Sequence, residues 1–179
     1  MPYLVVATVF VGLLCLLNLV LVAGVVRRLR DHAALLEERT SGLTSLRAGE
    51  EVGEFEVSTV EGELVGRRSL DADTLVAFFS PNCRPCHEKL PSFLDHARAF
   101  PGGRRRVLVG VSGDGEAAQS LAESLATVAR VVLEHHDGAL ATAFRTTAYP
   151  TVLAVAPDRS GRVVVTSDRV DLVRPVALP

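Results

Sequence analysis

A chain of 179 residues has room for one folded domain and little besides. Its net charge of −2, with no basic excess spread over a face, excludes nucleic acid as a partner. Hydrophobic residues make up 48% of the sequence, a high share for a soluble protein, and the excess lies at the N-terminus.

Within residues 3–26 only Thr8 and Asn18 interrupt an apolar run. That length suffices to cross a bilayer, which takes roughly 20 such residues. A cleaved secretory signal would open with basic residues, carry a shorter apolar core and end in small residues before the cut. None of these is present. Residues 1–26 therefore read as an uncleaved transmembrane anchor, with the lipid bilayer as a partner. Cys15 lies between Leu14 and Leu16, without the small preceding residue that lipid attachment needs, and reads as an unmodified packing residue. Arg27, Arg28 and Arg30 follow the span. Leu29, Ala33 and Leu36 share one helical face, so residues 27–53 read as a juxtamembrane helix running into a linker marked by Gly42, Gly49 and Gly53.

The folded domain is expected over residues 54–179. Phe55, Val57 and Thr59 alternate with polar residues, Glu61-Gly62 marks a turn, and Leu64-Val65 resumes the pattern: a small hairpin. Residues 75–79, LVAFF, form the continuous apolar run of a strand buried on both faces. A helix is expected over 86–100, with Leu90, Phe93, Leu94 and Ala97 at helical spacing and Pro91 as a kink. Arg104, Arg105 and Arg106 read as a solvated turn leading into a second buried strand at 107–111. A helix over 116–125, a short strand at 131–133 and a helical turn at 139–144 follow. Strands at 151–156 and 163–166 close the domain around the turn Asp158-Arg-Ser-Gly161. Strands alternating with helices indicate an α/β layer fold with crossover connections. The last eight residues hold two prolines and leave little room for a closing helix.

Cys83-Arg-Pro-Cys86-His87 is compatible with three chemistries. C-x-x-C-H is the signature for c-type haem attachment, but haem wants a mostly helical pocket and an axial ligand, and the only methionine is Met1. Zinc would find three ligands here and no second pair at ligand spacing; His135-His136 reads as a polar loop. A dithiol–disulfide pair is supported by every neighbour. A cysteine where a buried strand turns into a helix lies at the positive end of the helix dipole, which favours the reactive thiolate. Arg84 adds a positive charge beside Cys83, and Pro85 stiffens the first turn without losing a needed N–H. Cys86, one turn on, can reach the first sulphur. Cys83 is then the attacking thiol and Cys86 the buried resolving one. A permanent structural disulfide is the competing reading, but a loop this short removes little unfolded-chain entropy. The exchange needs no metal and no cofactor.

With these residues in place the chain resembles the thioredoxin fold, and within it the membrane-tethered TlpA/ResA-like thiol–disulfide oxidoreductases. The likeness covers roughly residues 50–167 and rests on "VGEFEVSTVEGELV", "LVAFFSPNCRPCHEKLP" and "TAYPTVLAVAPDRSGRVV". The "F-x-S-P-x-C" lead-in is also similar to MauD-like maturation factors of methylamine dehydrogenase. The resemblance implies that Pro150 is a cis-proline facing the cysteine pair, with backbone groups of Tyr149 binding an extended substrate peptide as an added strand. It also implies an extra strand–helix unit between Cys86 and Tyr149. The departures are specific: Asn82 stands where thioredoxins carry Trp, and Ala77 where a buried acid serves the resolving cysteine. His87 and Glu88 are candidates for its proton, though a solvated helix face suits both. Partners implied are a protein disulfide or dithiol and a membrane or soluble redox partner. Arg27, Arg28 and Arg30 argue for a cytoplasmic domain by the positive-inside rule. The resemblance places it outside the cytoplasm, where disulfide substrates occur. The extracytoplasmic side is the expectation. A tethered binding or maturation module that uses the fold without turnover is the alternative.

Overall fold

The computed structural model describes residues 45–172 and, nearer the N-terminus, Tyr3, Phe10, residues 12–18 and Leu21, all helical. The chain divides into two units, Met1–Thr40 and Ser41–Pro179. In the first, Tyr3, Phe10, Leu13, Leu14, Leu16, Leu17 and Leu21 are exposed. No helix among the described residues is long and apolar enough to cross a membrane. The expected juxtamembrane helix, with Leu29, Ala33 and Leu36, lies outside the described residues.

In the second unit a hairpin of β1 (Glu56–Ser58) and β2 (Leu64–Gly66) precedes the central strand β3 (Thr74–Phe79). Helix α1 (Arg84–Ala99), strand β4 (Val107–Ser112), helix α2 (Gly115–Ala126) and strand β5 (Arg130–Glu134) follow. The short helix α3 (Ala139–Ala143) and strands β6 (Thr151–Pro157) and β7 (Val163–Ser167) complete the order. The five-stranded sheet runs β5-β4-β3-β6-β7. Its parallel half is β5, β4 and β3; β6 and β7 are antiparallel to their neighbours. Uniform apolar runs form β3 and β4 because both strands are buried throughout, with a helical or loop layer on each face.

Alternation along β3 sorts the core into two layers. Leu75, Ala77 and Phe79 face α1 and α2, meeting Phe93, Ala97, Ala118, Ala122 and Leu125. Val76 and Phe78 face the other way, toward the hairpin and α3, with Phe78 and Phe144 rings 5.5 Å apart. Gly110 opposes Phe78 on β4, where an added Cβ would come within 2.8 Å of the Phe78 ring.

Residues 46–53, expected to be linker, belong to this unit. Leu46 and Val52 are fully buried. The N–H of Leu46 donates to the Phe144 carbonyl at 3.1 Å, and that of Val52 to Val163 at 2.9 Å along the free edge of β7. Their glycines and charges hid two core residues. The expected start near Glu54 therefore cuts inside the folded layer.

Candidate active site

β3 delivers the chain to the site and α1 carries it away. After Phe79 a tight turn brings the N–H of Cys83 to the Ser80 carbonyl at 3.2 Å. Cys83 is the N-cap of α1, with extended backbone, and its Sγ accepts the N–H of Cys86 at 3.2 Å. A sulphur thus takes the capping place usually held by a Ser, Thr, Asp or Asn oxygen. The helix begins at Arg84, two residues earlier than expected, because capping starts at the cysteine. Cys83 and Cys86 are joined as a disulfide with Cα atoms 5.2 Å apart. They differ in surroundings. Cys83 is half-buried and open on one side, whereas Cys86 is 3% exposed among Ala77, Phe79 and Phe93.

Opposite the pair lies the loop before β6. The Tyr149-Pro150 peptide bond is cis. The carbonyl oxygen of Tyr149 is 3.3 Å from Cys83 Sγ, across 66 positions of sequence. The turn is braced by Thr151, whose hydroxyl donates to the Ala148 carbonyl at 2.8 Å. The structure therefore sets the bonded Cys83–Cys86 pair beside the Tyr149 carbonyl that precedes the cis bond to Pro150.

No family model matches the sequence, and no curated protein matches it closely. The folded unit is similar to solved structures. One is the thioredoxin domain of a thiol–disulfide oxidoreductase from Bacteroides vulgatus, at 20% identity and TM-score 0.52, covering 68% of this chain and 88% of that one. Another is a thiol:disulfide interchange protein from a Bacteroides species, at 18% identity and TM-score 0.50, covering 67% and 80%. The fold is thioredoxin-like.

The position at which the resemblance implied an acid is apolar. Ala77 is fully buried in the same cluster as Cys86. His87 and Glu88 are both exposed on α1 and each has a partner. Glu88 forms an exposed ion pair with Arg84 at 3.2 Å, and His87 sets Nε2 2.8 Å from the Pro81 carbonyl oxygen. The Arg84 guanidinium is mostly exposed, so its field at Cys83 is offset by Glu88 and screened by water. The helix N-terminus favours the thiolate of a reduced Cys83. Pro85 lies at the second helical position, inside the first turn. Among the described residues no three His, Cys, Asp or Glu side chains gather into a group able to hold a metal ion.

Two residues with no local signal complete the rim of this thioredoxin-like site. Ser112, at the end of β4, is buried, and its Oγ is 2.9 Å from Nδ1 of His136. The same Nδ1 is 3.4 Å from the Tyr149 hydroxyl, and the two rings lie 5.6 Å apart. Glu134 anchors the start of this loop. Its carboxylate accepts the N–H groups of Leu140 and Ala141 at 3.0 and 2.8 Å, capping α3. Burial pushes that carboxyl above the usual range, and the two donors offset the shift only in part.

Proposed function

We propose that this protein is a membrane-anchored thiol–disulfide oxidoreductase acting on proteins that carry a disulfide or dithiol. The observation that carries the reading is the asymmetry of the pair: a half-exposed Cys83 at a helix N-terminus, bonded to a buried Cys86 and facing the Tyr149 carbonyl. In the reducing direction the Cys83 thiolate attacks one sulphur of a substrate disulfide, forming a mixed disulfide and releasing the other sulphur as a thiolate. The Cys86 thiolate then attacks Cys83 Sγ, which frees the second substrate thiol and leaves Cys83–Cys86 oxidised. Two electrons pass to the substrate and its two sulphurs take up two protons. The same steps reversed oxidise a dithiol. Backbone groups of Tyr149 hold the substrate segment in extended form. The "F-x-S-P-x-C" lead-in supports a MauD-like role on the disulfides of a partner enzyme.

The apolar N-terminal run, with its exposed Leu side chains, supports anchoring in a lipid bilayer. We place the folded domain outside the cytoplasm, where substrate disulfides persist, against the charge of Arg27, Arg28 and Arg30. The test is a Cys86→Ala variant expressed in cells. Cys83 is expected to accumulate as mixed disulfides with substrate proteins, and after reduction to label with a membrane-impermeant thiol reagent. If nothing is trapped, and the chain still performs its cellular role with both cysteines replaced, it is a tethered binding module. Absence of labelling places the domain in the cytoplasm.

A further inference from the structure

The exchange chemistry explains Cys83, Cys86 and the Tyr149 backbone, but not the Tyr149 side chain or what holds it. Its hydroxyl meets His136, and His136 meets Ser112 on the sheet. The chain of contacts starts at a buried strand end and finishes at the residue whose carbonyl is 3.3 Å from the reactive sulphur. His136 is exposed, and the backbone on either side of it is held in place. Its loop turns at Gly138, whose N–H donates to the His135 carbonyl at 2.9 Å. Glu134, just before the loop, is locked onto α3.

We propose that His136 is a positioning residue for disulfide exchange, resting on the oxidoreductase reading above. It holds the Tyr149 side chain against the site wall, and thereby keeps the Tyr149 carbonyl aligned for an incoming extended peptide. The imidazole touches neither sulphur, so its contribution is to substrate docking rather than to thiol chemistry. The Tyr149 ring packs on both core layers yet keeps one side open, and any freedom left to it must be given up when a substrate binds. Holding the ring beforehand removes a cost of about 0.5–1.5 kcal/mol per side chain, or roughly two- to twelvefold in affinity. A small disulfide that reaches Cys83 without lying along the Tyr149 backbone gains little from this.

The experiment is single-turnover oxidation of the reduced full-length protein by two probes. One is a disulfide-bonded peptide and the other is 5,5′-dithiobis(2-nitrobenzoate). His136→Ala is expected to raise the half-saturating peptide concentration roughly two- to twelvefold, with a clearly smaller change in the limiting rate and in the reaction with the small probe. His136→Asn, whose amide can stand where Nδ1 stands, is expected to restore most of the loss. An equal loss with both probes, or no loss with either, overturns the proposal. Should His136→Ala fail to fold, Ser112→Ala removes the hydroxyl 2.9 Å from His136 Nδ1 and must give the same split; without it the proposal falls. If the wild-type protein reacts with the small probe but not with the peptide at any concentration, the oxidoreductase reading fails first, a result distinct from any effect at His136.

Discussion

His96 sits on the buried side of α1, 8% exposed, with its ring 6.4 Å from that of Phe100. Burial disfavours its charged form and lowers its pKa below the ordinary 6.5, while the carboxylate of Asp171 opposes the shift more weakly. The sign follows from proton counting. Below pH 6.5 the unfolded chain takes up a proton that the folded protein does not yet bind. Stability from this group is therefore present above that value and is lost as the pH falls through the lower folded-state pKa. The urea midpoint of the wild-type protein is expected to drop between pH 7.5 and pH 5, and His96→Gln to drop less. Equal slopes for the two proteins would remove His96 from the account. Cys83 shows a second kind of residue-scale economy, since the atom that reacts is also the atom that caps its helix.

At the scale of elements, α3 has five residues and little helix-forming power of its own. Its N-terminus is held by Glu134, a strand residue. Glu134→Ala leaves two N–H groups in a buried setting without their acceptor. The expected cost is about 1–3 kcal/mol, read as a lower urea midpoint. This cap illustrates what sequence could and could not reveal. β3 and β4 were legible because strands buried on both faces are uniformly apolar, and the hairpin because Glu61-Gly62 interrupts an alternation. The cysteine pair announced itself by spacing, and Tyr149-Pro150 by resemblance. Ser112, Glu134 and His136 were not legible, because their partners lie 6–24 positions away and are set by strand register. His135-His136 read as a polar loop, and only the fold separates the two: His135 pairs with Asp114 at 3.1 Å while His136 turns to Tyr149.

At the scale of the whole folded unit, the stretch before the hairpin acts as a strap. Leu46 reaches a core that also holds Phe55, Phe144 and Val165, and residues 49–52 run beside β7. Leu46→Ala is expected to destabilise the protein by about 2–5 kcal/mol, measured by denaturant unfolding, because it empties a fully buried site. A change of under about 0.5 kcal/mol, the range of an ordinary surface substitution, would return the stretch to the status of linker. The strap has another effect. Gly49 and Val52 donate to Val165 and Val163, and Val165 donates back to Glu50, so one border of the sheet has its backbone groups occupied. At the opposite border the N–H of Val60 donates to Val131 on a strand only five residues long. Exposed sheet borders template aggregation. The strap therefore does for the β7 border what a further strand would do: it leaves fewer backbone groups open to a second sheet, with Val60 adding one bond at the β5 border.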